Sequence, residues 1–325
     1  MKKALKWIGA PILGLSTLVG GGVGYLYGAF PKVAEASSDK ILATAALRER
    51  GAYLADHVAL CSDCHSERDF SRFSGPVKPG TVGKGGERWG REIGFPGDLY
   101  AKNITPAAIG DWSDGEILRA ITTGVSRDDS ALFPLMPYPN YRHLCEDDAK
   151  ALITWVRDLE PIEHQVPHRE LDFPLGLVVR TMPDVADPWP CPTPADGVRY
   201  GEYLVTMANC SDCHTPSEQG KPILSKRFAG GMAFPMPTGG TVRAANITPH
   251  PETGIGHWTR EAFIQRFKAM AQPNATPPVS PGTFNTVMPW TQYAHMTEQD
   301  LGAIYDYLRT MPPLESRIEK FTPAP

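Results

Sequence analysis

The pentapeptide CSDCH stands at residues 61–65 and returns unchanged at 210–214. Two cysteines one helical turn apart with a histidine directly behind them is a demanding local arrangement, and its repetition constrains the fold more than any average property. Laying one half of the chain over the other extends the match. RGAYLADHVALCSDCH (50–65) faces RYGEYLVTMANCSDCH (199–214), KNITP (102–106) faces ANITP (245–249), and GDWSDGEIL (110–118) faces GHWTREAFI (256–264). Last, LMPYPNYRHLCEDDAKALITWVRDLEP (135–161) faces VMPWTQYAHMTEQDLGAIYDYLRTMPP (287–313) without a gap. Four blocks in the same order mean tandem homologous units.

The 325 residues suit two ordinary domains, each with its own core. The expected boundaries are a leader or anchor over 1–36, a first domain over 37–160, an ordered proline-rich strap over 161–198 and a second domain over 199–325. Each unit reads as three short helices wrapped in loops, and 32 prolines with 31 glycines give no support to a sheet-rich fold. Ser113 and Glu116 form a capping box for the middle helix of the first unit, and Thr259 caps its counterpart. One face of the last helix carries Ala149, Leu152, Ile153 and Val156 in the first unit and Leu301, Ile304, Tyr305 and Leu308 in the second, at helical spacing. These stripes read as core. The strap holds Leu171, Phe173, Leu175, Leu177, Val178 and Val179, which a free tether would leave in water, so it is expected to pack across both domains.

The spacing C-x-x-C-H is that of covalent haem c attachment. Each thiol adds to one vinyl group of a porphyrin, and the adjacent histidine binds the iron from one face. Cys61, Cys64 and His65 are thereby assigned to a first haem, and Cys210, Cys213 and His214 to a second. A redox dithiol belongs beside a βαβ pattern and a zinc site needs further ligands at close spacing; neither accompanies the motif. Downstream, Met136-Pro137-Tyr138 and Met288-Pro289-Trp290 occupy matched positions just before the last helix. A thioether in a proline-stiffened loop supplies the sixth iron ligand of a class I cytochrome c arrangement and raises the reduction potential. Met232, Met236 and Met296 compete with Met288 in the second unit.

Other matched residues have less definite readings. Trp112 and Trp258 are either indole donors to a haem propionate or ordinary core, and Asn103 and Asn246 stand near the same end of the haem. His143 and His295 read as packing residues, while the unmatched His57, His164, His168, His250 and His257 read as surface or linker. Cys145 and Cys191 remain after four cysteines go to haem. In an oxidising compartment a leftover pair suggests a disulfide that would pin the strap to the first domain, the alternative being a free, buried Cys145.

The chain opens MKKALKWIGAPILGLSTLVGGGVGYLYGAF, three lysines followed by an uncharged run from Trp7 to Phe30. At about 1.5 Å per residue that run spans roughly 36 Å, enough for a bilayer core of about 30 Å. It reads as an N-terminal transmembrane helix with interfacial Trp7, Tyr25 and Tyr27, or as a long signal peptide cleaved after Ala34-Glu35-Ala36. Either way the haem domains are exported, to the periplasmic side of a bacterial inner membrane. Gly20, Gly24 and Gly28 recur every fourth residue, a face on which another helix can approach. The net charge is −4 and no Lys/Arg cluster occurs, which argues against a nucleic-acid partner.

The succession CxxCH, NITP, G-x-W at a helix start, MPY and a closing helix ending Leu-Arg resembles the membrane-anchored cytochrome c subunits of periplasmic alcohol, aldehyde and gluconate dehydrogenases. The resemblance covers both units and the strap, where LDFPLGLVVRTMPDVADPW looks like the family's interdomain segment. Those subunits generally carry three haems, whereas this chain has two CxxCH motifs. The resemblance implies an all-α fold of two tandem class I cytochrome c domains behind a membrane helix. It implies single-electron transfer from a dehydrogenase or quinol-oxidising complex to a downstream cytochrome or oxidase. A dihaem peroxidase has a similar size, but it needs an iron able to shed its sixth ligand, which the duplicated Met-Pro-aromatic loops oppose. A third reading is a subunit that chiefly organises a respiratory assembly through its anchor and strap.

Overall fold

The computed structural model describes residues 20–218 and 220–324. Each unit opens with a helix, Ala45–Tyr53 or Val198–Met207, that runs into the short CxxCH helix, Cys61–Cys64 or Cys210–His214. A middle helix follows, Asp114–Thr123 or Arg260–Lys268. Directly after each Met-Pro pair comes one helical turn, Tyr138–Tyr141 or Trp290–Tyr293, and then the closing helix, Glu146–Asp158 or Glu298–Leu308. The capping box expected at Ser113 and Glu116 is present in both directions, and Thr259 accepts from Ala262 N. The two apolar stripes of the closing helices are buried along their whole length.

Glycine decides how the opening and closing helices cross. A Cβ added at Gly51 would lie 2.1 Å from the Ala151 carbonyl oxygen, and one at Gly201 would lie 2.0 Å from that of Ala303. Backbone therefore meets backbone at both crossings. These glycines also correct the ungapped overlay of residues 50–65 on 199–214. Gly51 to Cys61 is one residue longer than Gly201 to Cys210, and a π-helical turn over Leu54–Val58 absorbs the extra residue.

The all-α expectation is corrected by eight short strands among the described residues. β1 (Arg88–Trp89), β2 (Gly97–Tyr100) and β3 (Glu170–Leu171) form one antiparallel sheet; β4 (Ser217–Glu218) and β5 (Lys221–Pro222) form a hairpin; β6 (Ala233–Pro235), β7 (Thr241–Arg243) and β8 (Phe321–Thr322) form a third sheet. Strands of two to four residues leave no alternating pattern, and both larger sheets are completed by chain that returns after the closing helix, so nothing local announces them. The register makes the return equivalent in the two units: Glu170 pairs with Asp98, and Thr322 with Thr241. The start of the strap is thus repeated by the C-terminal tail.

The transmembrane helix is also corrected. Among the described residues no helix is long and apolar enough to cross a membrane. Residues 20–29 are helical and span only about 15 Å at helical rise. Residues 1–19, on which most of the expected span falls, lie outside the described residues. Gly20, Gly24 and Gly28 are exposed with open space beside them.

The expected pair of cores is replaced by one buried cluster that runs through both units, from Leu54 and Ile153 to Leu204 and Leu308. An approximate twofold relation organises it. Tyr53 of the first unit donates to Asp300 of the second, and Tyr203 of the second donates to Asp148 of the first. Each phenol oxygen also accepts a backbone N–H, from Thr297 and Cys145 respectively. Each aspartate is held within its own unit as well, Asp148 by two bonds from Arg50 at 2.8 and 2.9 Å and Asp300 by the Tyr200 hydroxyl at 2.7 Å. Burial first, and the facing carboxylates next, hold the Tyr53 and Tyr203 phenols protonated far above their ordinary range. Both aspartates and Tyr203 are buried and Tyr53 is partly buried, so water is kept from the Tyr203–Asp148 bond and partly from Tyr53–Asp300.

The strap is ordered, but of its six apolar residues only Val179 is fully buried, and Phe173 is 88% exposed. Its anchors are polar and covalent. Trp189 stacks on His143 at 4.6 Å, Asp187 N and Trp189 N donate to the carbonyls of Arg142 and His143, and Cys145–Cys191 is a disulfide. Arg180 reaches back to the Phe30 carbonyl.

Candidate haem sites

Leu60 and Asn209, the residues before the first cysteine of each motif, both adopt left-handed backbone, φ +56° and +53°. The opening helix ends there and the CxxCH turn starts in a new direction. Asparagine tolerates that region and leucine does so at a cost, so the same conformation in both units follows from the tertiary demand, not from residue preference.

The turn aims the histidines identically. His65 Nδ1 lies 2.7 Å from the Lys102 carbonyl oxygen and His214 Nδ1 lies 2.7 Å from that of Ala245, the residue before Asn in each N-I-T-P. Donation from Nδ1 fixes the neutral tautomer in which Nε2 keeps its lone pair for a metal. Burial lowers the proton affinity of both imidazoles, which holds them in that neutral form. The asparagines explain why the carbonyls stay in place. Asn103 Oδ1 accepts from Thr105 N and Oγ1 while its amide donates to Ile162 O; Asn246 does the same with Thr248 and Leu314 O. Both amides tie the N-I-T-P loop to the returning chain, so their place in the site is to brace the histidine's partner.

The four motif cysteines carry free thiols, in contrast to the disulfide-bonded pair. Cys64 and Cys213 touch open space, yet the surrounding protein pushes all four thiols up to about 12. An exposed thiol that deep in the fold lies on the wall of a crevice. The methionine loops are fastened to the same walls. Tyr141 Oη donates to the Ala59 carbonyl at 2.5 Å and Tyr293 Oη to that of Ala208 at 2.6 Å, each two residues before the first cysteine. Each bond brings a Met-Pro-aromatic loop beside its own CxxCH turn, with Met136 and Met288 partly buried against the core. Of the competing methionines, Met296 is fully buried between helices and Met236 is nearly so. Two free thiols, a neutral imidazole with one nitrogen uncommitted and a thioether loop suit, in donor chemistry, a covalently attached haem. Among the described residues no group of three or more Cys, His, Asp or Glu gathers to hold a bare metal ion.

Several supporting residues carry no signal in the sequence. Ser74, on an excursion of the first unit, donates to the Met288 carbonyl and accepts from Trp290 N. Asn285 Oδ1 accepts from Ser74 N, and its amide donates to Phe70 O. The first unit therefore holds the methionine loop of the second. His57, expected at the surface, sits against His295 at 5.2 Å with Nδ1 buried and without a partner among the described residues. His143 serves the strap. Asp63 and Asp212, the central acids of the two motifs, are pushed up by burial; Asp63 pairs with Arg68 at 3.2 Å, and Asp212 accepts from Asn140 of the other unit. Asn140 Nδ2 donates to Asn209 Oδ1 and Asn209 Nδ2 donates to Tyr141 Oη, which brings the second attachment turn against the methionine loop of the first unit.

Comparison with known proteins agrees with this geometry. Residues 198–312 match the cytochrome c family, so a cytochrome c domain is present in the second unit. The chain is 29% identical to the fructose dehydrogenase cytochrome subunit of Gluconobacter japonicus over 81% of its own length and 52% of that protein. It is 28% identical to the alcohol dehydrogenase (quinone) cytochrome c subunit of Gluconacetobacter polyoxogenes, over 84% and 57%. With a diheme cytochrome c-type protein of Cereibacter sphaeroides it shares 30% identity over 58% and 63%. The chain spans about half the length of the curated dehydrogenase subunits it matches. The second unit thus carries a cytochrome c domain and the chain is similar to those subunits, a similarity that implies covalently bound haem c.

Proposed function

We propose that this chain is a c-type cytochrome that holds two haems, one per unit, and carries single electrons from a dehydrogenase to a downstream acceptor. The observation that carries the reading is the doubled site: free thiol pair, histidine with Nδ1 committed to a carbonyl, and methionine loop tied back by a tyrosine. When bound, haem c supplies a one-electron Fe(III)/Fe(II) couple. The chain's own residues do the rest. Cys61, Cys64, Cys210 and Cys213 would tether the haems, His65 and His214, oriented by the Lys102 and Ala245 carbonyls, would bind iron through Nε2, and Met136 and Met288 would offer thioether sulfur. With a histidine and a methionine both committed to iron, no site would be left for substrate there, which favours a carrier over a peroxidase. A dehydrogenase as donor is supported by the names of the relatives. Placement of both units outside the cytoplasm, on the periplasmic side, is supported by the Cys145–Cys191 disulfide and by the chemistry of haem c maturation.

The test is to mature the chain in an exporting host, count haem by intact mass, and capture it from gently extracted native cells. Two covalent haems and a co-captured dehydrogenase catalytic subunit are expected. One haem or none would overturn the dihaem assignment, and quinol-oxidising or oxidase subunits in place of a dehydrogenase would overturn the donor.

A further inference from the structure

Beside the first site one buried hydroxyl lacks a hydrogen-bond partner among the described residues, and two cations stand near it. The Tyr138 hydroxyl, directly behind Met136-Pro137, is buried and has no hydrogen-bond partner among the described residues. Arg169 is partly buried on the returning chain just before β3, and burial works against its charge. Lys102, whose carbonyl takes His65 Nδ1, is exposed and stands near Arg169. Neither cation belongs to an ion pair among the described residues. Asp128 is the carboxylate that favours both, yet it lies beyond ion-pair distance and its Oδ1 accepts from Ser130 N and Oγ. Two cations that repel each other beside an orphaned hydroxyl are unfavourable unless an anion with hydrogen-bond acceptors lies between them.

In the second unit the matched positions carry apolar side chains, and the Arg266 guanidinium lies over the Trp290 ring at 4.3 Å. The paired registers of the two sheets place Phe321 where Arg169 stands, and Phe321 packs on Phe284 at 5.8 Å. Ala245 replaces Lys102 and Trp290 replaces Tyr138. A shared structural requirement of the repeat would have left its mark in both copies.

We propose that Arg169, Lys102 and the Tyr138 hydroxyl form a carboxylate-binding pocket whose occupant is a propionate of the haem attached through Cys61 and Cys64. This rests on the haem assignment of the preceding section. A bare carboxylate near iron favours Fe(III), so cations that neutralise it favour Fe(II). The pocket therefore raises the reduction potential of the first haem and leaves the second untouched.

The experiment is a spectroscopic redox titration of the matured protein after its haems have been counted. In Arg169→Gln, one wave shifts to lower potential by at least tenfold in its redox equilibrium, about 59 mV for one electron, while the other stays in place. Arg169→Lys restores most of the shift, and Lys102→Gln moves the same wave. Two unmoved waves in Arg169→Gln with both haems present would overturn the pocket, as would equal movement of both. A free carboxylate as occupant would overturn the propionate assignment and would show as a wild-type potential that changes with added acetate. A chain without the first haem overturns the earlier reading together with this one and is recognised at the counting step.

Discussion

Which atom is left uncommitted decides the chemistry at the scale of single residues. His65 and His214 spend Nδ1 on backbone carbonyls, so only Nε2 remains for iron. Met136 and Met288 are brought beside those turns by Tyr141 and Tyr293. Met136→Leu should remove about half of the ferric near-infrared methionine–iron band and lower one potential, on the order of 100 mV within the ~0.8 V that axial ligands span; Met288→Leu should remove the remaining half and lower the other. An undiminished band in either variant would show that the methionine is core filler. The eight expected ligands and tethers could be named from the sequence because the CxxCH spacing and the repeated Met-Pro-aromatic loop are local patterns. Ser74, Asn285 and Tyr138 were not, since a serine, an asparagine and a tyrosine have many uses and only their neighbours in space distinguish one from another.

At the scale of elements, the helices follow from caps and periodicity, and their crossings follow from glycine. Gly201→Ala forces a methyl group into the Ala303 carbonyl at 2.0 Å. The expected loss is about 1–3 kcal/mol from overpacking, read as a lower denaturant midpoint of the matured protein with an unchanged slope; Gly51→Ala should act alike. A stability within a few tenths of a kcal/mol of wild type would mean that the helices can separate freely. The strands were missed because each is shorter than the pattern that would reveal it, and because β3 and β8 come from chain lying far from their partners in sequence. The π-turn was missed for a related reason. One inserted residue in a helix shows only when both copies are anchored at Gly51 and Gly201.

For the whole molecule, the reciprocal Tyr53–Asp300 and Tyr203–Asp148 bonds join the units through one core. Tyr203→Phe leaves Asp148 with the Arg50 fork, whereas Tyr53→Phe leaves Asp300 with the Tyr200 hydroxyl alone. Both should destabilise by about 1–3 kcal/mol, Tyr53→Phe more than Tyr203→Phe, and both should broaden the separation between the two proposed haems measured by pulsed electron paramagnetic resonance. An unchanged distance distribution in both variants would show that the apolar contact alone sets the spacing.

The sequence by itself determined the duplication, the expected tethers and ligands, the helix caps and the buried stripes. Each of these is written in spacings shorter than about two helical turns or in direct repetition. Only the tertiary structure decided that the two units share one core, that the first unit braces the methionine loop of the second, that the tail repeats the strap, and that one site carries unpaired cations where the other carries apolar side chains. Those features arise where segments far apart in the chain come together, and burial there gives an ordinary arginine or tyrosine a partner requirement that its place in the sequence does not express.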